Sequence, residues 1–184
     1  MIFTDREIQI ALNKSQIGIK PEPELDAYSS TSVDLRLADQ LTVFKENLNT
    51  GTIETIIDPA KPRSSFVAER EIKQLSDVMI IGDEGYPLNP RKLVLGWTLE
   101  KVSLPTQSRI AARIEGKSSL ARLGLIVHLT APTIHCGFND VIRLELVNHG
   151  AVPIRLRKGM RICQLVFELT MGTPQKGFSA TQTA

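Results

Sequence analysis

Short apolar runs, mostly of period two, recur along this chain: Ser32-Val33-Asp34-Leu35-Arg36-Leu37, Leu93-Val94-Leu95-Gly96-Trp97-Thr98-Leu99, Val141-Ile142-Arg143-Leu144-Glu145-Leu146 and Ile162-Cys163-Gln164-Leu165-Val166-Phe167. A period of two sends successive side chains to opposite faces of a strand, so these runs suit half-buried β-strands and make no continuous apolar stripe on a helix. Gly, Pro and Asn turns separate them. The pattern predicts an all-β fold, mainly β with a few short helices, curled into a distorted barrel or jelly roll.

Two segments depart from that period. Thr4-Asp5-Arg6-Glu7 ahead of Ile8, Ile10, Ala11 and Leu12 has the form of a capping box and predicts one helix ending near Gln16-Ile17-Gly18. Leu120-Ala121-Arg122-Leu123 has helical composition and predicts a short helix whose first amides lie beside Ser118 and Ser119, a place suited to phosphate. No repeat or linker divides the chain, and its 184 residues suit a single domain spanning 1–184 with a core that needs no staples. The stretch from Gly51 to Asp83 reads as a strand-poor excursion from that domain.

Charge and cysteine usage narrow the function classes. A formal charge of +2 is too small for a general nucleic-acid surface, and six Phe, two Tyr and one Trp leave little for base stacking, so a polymer partner is not expected. A small anion needs only a local cluster such as Lys117 with Arg122. Cys136 and Cys163 form no metal or redox spacing. With no signal peptide or long apolar run, the chain reads as soluble and cytoplasmic, with no membrane partner.

Polar chemistry concentrates in Glu115-Gly116-Lys117-Ser118-Ser119-Leu120-Ala121-Arg122-Leu123-Gly124-Leu125, then Val127-His128-Leu129-Thr130-Ala131, then Leu144-Glu145-Leu146-Val147-Asn148. The spacing resembles the deoxycytidine triphosphate deaminase family of the trimeric deoxyuridine triphosphatase superfamily, in which a G-[RK]-S-S-L-[AG]-R-[LV]-G-L block precedes an L-E-[FLI] strand. The resemblance implies a dUTPase-like homotrimer that hydrolyses dCTP to dUTP and ammonia in pyrimidine deoxynucleotide metabolism. It assigns Glu145 as general base, with Ser118 and Arg122 from a neighbouring subunit holding water, base and phosphates. Lys117 and Ser119 would then meet the triphosphate, and the backbone of Ala131 would read the cytosine edge. On residue pattern alone, Glu145 is an outward-facing strand carboxylate, and Ser118 with Arg122 is a helix cap beside a solvated cation.

The same resemblance extends to both ends. Ser29-Ser30-Thr31-Ser32-Val33-Asp34-Leu35-Arg36-Leu37 matches a first superfamily block, with Asp34 read as structural rather than as a magnesium ligand. Gly159-Met160-Arg161-Ile162-Cys163-Gln164-Leu165 matches a fourth, whose Gln164 would contact phosphate. Mg²⁺ is expected to arrive on the substrate triphosphate, with no protein metal site. Zinc is not expected, because the H-x-E and P-C-x-x-C signature of zinc deaminases is missing.

Two departures stand out. The third block, usually I-D-x-G-[WFY]-x-G, reads Ile134-His135-Cys136-Gly137-Phe138-Asn139-Asp140 here, so His135 replaces an Asp that serves phosphate hydrolysis and the sugar 3′-hydroxyl in the superfamily. An imidazole can keep the sugar contact. Asn139-Asp140 suits a hairpin turn, His128 reads as a satisfied core or interface residue, and His149 as a turn residue. The tail is short, and Gln175-Lys176-Gly177-Phe178-Ser179-Ala180-Thr181 faintly resembles a G-F-G-S-T lid, making 172–184 a flexible lid with Phe178 placed to stack on a base. The alternatives are a bifunctional enzyme that carries dCTP to dUMP, and a nucleotide-binding protein with weakened chemistry.

Overall fold

Backbone amides need partners, and in this chain they find them in one curled sheet. The computed structural model describes residues 1–45 and 72–178. Most of the Gly51–Asp83 excursion and the end of the tail, 179–184, lie outside the described residues. Helix α1 (Asp5–Asn13) opens the chain, and both halves of its capping box form between Thr4 and Glu7. It stops at Asn13, short of the expected Gln16-Gly18, because Ser15 turns into the left-handed region at φ 54°.

The strands follow as β1 (Gly18–Lys20), β2 (Tyr28–Ser29), β3 (Ser32–Phe44), β4 (Ser76–Ile80), β5 (Tyr86–Leu88), β6 (Leu93–Ser103) and β7 (Ile110–Gly116). A single helical turn, α2 (Ser118–Ala121), leads into β8 (Leu125–Ile126), β9 (Thr133–Ile134), β10 (Asn139–Asn148), β11 (Ile154–Leu156) and β12 (Arg161–Leu169). The main sheet runs β8-β10-β6-β3-β12-β7-β9, with β1 added to β6 and both β2 and β4 to β3, while β5 and β11 pair separately. Each of the four alternating runs lies inside a long strand of this sheet.

Strand β3 is the corner. Its first half pairs with β12 through Val33, Asp34 and Leu35, and its second half pairs with β6 through Leu41, Thr42 and Val43, with a register irregularity between Leu37 and Leu41. A strand that changes neighbours in this way is covered on both sides, which is why Ser32 to Leu35 are all buried instead of alternating. Leu35, Leu37, Ile114, Leu144, Leu146, Leu165 and Phe167 meet in one core. Gly96 leaves room there for Leu37 and Leu146, each of which would lie 3.1 Å from an added Cβ.

The turn expected at Asn139-Asp140 falls earlier, at Cys136-Gly137, where Gly137 takes φ 92°. Asn139 and Asp140 already belong to β10 and pair with Ser103 and Val102. Among the described residues no helix is long and apolar enough to cross a membrane.

Candidate functional site

Alternation in β10 decides where Glu145 points. Ile142, Leu144 and Leu146 are buried, while Arg143 is exposed and Glu145 half-buried on the opposite face. On one side Glu145 pairs with Leu95 of β6. On the other, β8 pairs with β10 only at Val147 and Asn148 and then diverges, leaving a gap beside the carboxylate. Into that gap the Leu129 amide donates a long hydrogen bond to Glu145 Oε2 at 3.4 Å.

His128 follows β8 by two residues, beyond the end of its pairing with β10. His128 Nδ1 is buried and without a hydrogen-bond partner among the described residues. A satisfied core histidine is therefore not what the described residues show, and the interface reading of His128 is left to a partner subunit. Further back on the same face the Arg143 guanidinium lies over the Trp97 ring at 5.5 Å, a cation–π contact that holds the strand's other outward charge aside.

A second cluster gathers on β3, β12 and the end of β7. Lys117, the cap residue of α2, turns inward and hydrogen-bonds Asp34 Oδ2, forming an ion pair. Asp34 lies opposite Gln164, and Gln164 lies opposite Glu115. The Ser32 hydroxyl donates to Gln164 Oε1 at 3.3 Å. Glu115 forms an ion pair with Arg113, whose Nε lies 3.0 Å from its carboxylate, so its charge is balanced within its own strand. The structure thus brings Lys117 and Gln164 together through Asp34, a residue 83 positions from Lys117 in the chain.

Helix α2 is one turn long and begins two residues earlier than its composition predicts, because the Lys117 carbonyl accepts from the amides of both Leu120 and Ala121. A helix this short is no anion site in itself. Ser118, Ser119 and Arg122 are exposed around it, and no hydrogen bond or ion pair among the described residues joins Ser118 or Arg122 to Glu145. What fixes the block is its far end. Gly124, at φ 94°, packs so closely on Gly150 that an added Cβ would lie 2.3 Å from the Gly150 nitrogen. The buried Asn148 side chain then ties this junction to β5 by donating to Leu88 O and Val152 O, each at 2.8 Å.

The third cluster is aromatic. In the turn that follows β9, His135 is exposed and Cys136 buried, and Cys136 Sγ lies 3.2 Å from Ile110 O. Phe178 stacks on His135 with ring centroids 6.4 Å apart and planes 16° from parallel, and its ring tilts against Phe138 at 5.4 Å. Ala131 is exposed in the loop before β9, which is tied to β7 by the Ile114 amide donating to Pro132 O at 2.9 Å. Among the described residues no group of three or more His, Cys, Asp or Glu side chains is arranged to hold a metal ion. The ion pair of Asp34 with Lys117 and the bare nitrogen of His128 had no signature in the sequence, since both depend on which strands become neighbours.

Comparison with known proteins places this geometry in a family. A family model described as dCTP deaminase-like matches residues 2–170. Proteins named dCTP deaminase from Rhodospirillum rubrum and Haemophilus ducreyi are each 38% identical over 185 aligned positions, which take in 100% of this chain and 90% and 91% of theirs. The solved 2′-deoxycytidine 5′-triphosphate deaminase from Agrobacterium tumefaciens superposes with a TM-score of 0.65 at 19% identity, covering 90% of this chain and 47% of that one. That likeness establishes the fold, and this chain spans about half the length of the Agrobacterium protein.

Proposed function

Given that the chain belongs to the dCTP deaminase-like family, we propose that it hydrolyses the 4-amino group of dCTP, releasing ammonia and dUTP. The observation that carries this reading is the full-length match at 38% identity to proteins named dCTP deaminase, joined to a half-buried Glu145 beside the opening between β8 and β10.

In this mechanism Glu145 takes a proton from a water aimed at C4 of the cytosine and returns it to the departing amine, two transfers that one carboxylate can make in sequence. The Leu129 amide steadies Glu145 Oε2 and leaves Oε1 for the water. Ser118 and Arg122 are exposed and without a side-chain partner among the described residues, which fits a pocket completed by a second copy. The assembly is a homotrimer in which each pocket draws Glu145 from one subunit and the Ser118–Arg122 block from another. Lys117, Ser119 and Gln164 receive the triphosphate together with its Mg²⁺, while the backbone of the Ala131 loop reads the base edge. Zinc has no role, because the sequence lacks the ligand signature that would activate water on that metal.

Incubation of the purified protein with dCTP and with dUTP, resolving ammonia, dUTP, dUMP and pyrophosphate, tests the reading. Ammonia and dUTP from dCTP are the expected products. Formation of dUMP marks a bifunctional enzyme, and nucleotide binding without product removes the proposed chemistry.

A further inference from the structure

The tail is fastened to its own chain. Thr170 and Arg109 are joined by the Thr170 amide donating to Arg109 O at 2.8 Å and by an Arg109 guanidinium nitrogen donating to Thr170 O at 3.2 Å. At the far end of the strap, the Phe178 amide donates to Cys136 O at 2.8 Å. Two glycines make that approach possible. A Cβ on Gly137 would lie 2.7 Å from the Phe178 nitrogen, and one on Gly177 would lie 3.0 Å from Thr106 Oγ1. Beneath the strap, Ala111, His135, Pro174 and Lys176 border a cavity of about 370 Å³. Backbone bond, glycine contacts and ring stack together bring Phe178 onto His135 in the same protomer.

We infer that Phe178 is a positioning residue that acts through His135: it packs, offset, against the imidazole so that the ring edge is held ready for the sugar of a bound deoxynucleotide. The inference rests on the function proposed above. An exposed His side chain otherwise samples several rotamers and must be ordered on binding, whereas a ring packed against Phe178 has part of that freedom removed by folding. Within the chain the Phe178 ring is already engaged by His135 and, at a tilt, by Phe138.

Steady-state kinetics with dCTP and with 2′,3′-dideoxy-CTP separate these roles. Phe178→Ala raises KM for dCTP by roughly threefold to tenfold, the size of one lost ordering term, while kcat stays within about twofold. Phe178→Tyr, which preserves the stack, restores KM. With the dideoxy substrate, or in a His135→Ala background, Phe178→Ala changes KM by less than about twofold. An equal loss with both nucleotides, or an undiminished loss in the His135→Ala background, makes Phe178 a direct base contact and overturns the inference; an unchanged KM for dCTP overturns it too. A readout independent of turnover is the His135 ring resonances in the nucleotide-free protein, assigned with His135→Gln among the three histidines. They move on Phe178→Ala if the clasp exists, and their constancy refutes it. If the wild type binds dCTP without deaminating it, the proposed activity fails while the same pattern, read in Kd, still decides the clasp.

Discussion

Lys117→Met tests the most consequential contact in the proposed phosphate cluster. Asp34 is 8% exposed, and of its two carboxylate oxygens only Oδ2 has a partner among the described residues, the Lys117 ammonium. Deleting that cation leaves a buried carboxylate alone, a change that costs about 3–5 kcal/mol in comparable sites. The Lys117 side chain is 23% exposed, so water can reach the vacated position and the expected loss is at the lower end, about 3 kcal/mol. For a chain of this size that corresponds to a fall of roughly 6–12 °C in Tm. Asp34→Asn is milder, about 1 kcal/mol, because the freed ammonium can turn to solvent. The double variant Asp34→Asn/Lys117→Met should recover about 2 kcal/mol of the single Lys117 loss, since it buries an amide in place of a charge. Thermal and urea unfolding at one fixed protein concentration measure all three. A loss below about 1 kcal/mol for Lys117→Met, or one that Asp34→Asn does not relieve, refutes the account of Asp34 as a carboxylate dependent on Lys117. The consequence for binding is direct: Lys117 is not a free cation waiting for phosphate, and a triphosphate must share it with Asp34.

Three further outcomes are expected. Glu145→Gln should keep the fold and nucleotide binding while lowering ammonia release at least about a hundredfold, and near-normal release removes Glu145 from the mechanism. If pockets are shared as proposed, Glu145→Gln and Arg122→Ala proteins, each inactive alone, should regain activity in about a quarter of their sites when unfolded and refolded together in equal amounts, because mixed trimers would rebuild intact shared pockets; no recovery in demonstrably mixed oligomers places both residues in one chain's site. Burial pushes the Cys163 thiol far above its ordinary range. Its neutral form is favoured by the fold, so its contribution is fully present below the unfolded thiol pKa of about 8.5 and shrinks as pH rises beyond it. Stability should therefore decline above about pH 9 in urea titrations, and Cys163→Ala should flatten that decline.

What could be read from the sequence were the features settled by near neighbours in the chain. The Thr4 and Glu7 capping box closes within one helical turn, and the inward set of Ile142, Leu144 and Leu146 against Arg143 and Glu145 follows from period two alone. The hairpin turn was misplaced because Asn139-Asp140 has turn composition, whereas the reversal needs the positive φ that Gly137 provides and Asn139 is already required opposite Ser103. The reading of His128 as a satisfied core residue failed for a related reason. Its apolar neighbours describe a buried strand, but β8 ends at Ile126, and the ring lies where strand pairing has stopped and, among the described residues, no amide or carbonyl reaches Nδ1.

Contiguity in the sequence block conceals a division of labour that strand order creates. Lys117, Ser118 and Arg122 read as one cluster of two cations and a hydroxyl, yet β3, β12 and β7 lie side by side and turn Lys117 inward to Asp34, while the single turn of α2 carries Ser118 and Arg122 out to the surface. Glu145, on β10, is separated from β7 along the sheet by β6, β3 and β12. A residue whose partner is found within the chain contributes to folding as well as to any ligand, so its replacement acts on stability first. One that is exposed and unpartnered costs the fold little when changed, and a strong effect on activity there reports on what another molecule brings to it. Among the described residues Lys117 belongs to the first kind, Ser118 and Arg122 to the second. Stability measurements on Lys117 and mixing experiments on Arg122 therefore probe two different surfaces of one short block, the first against its own sheet and the second against the neighbouring copy proposed above.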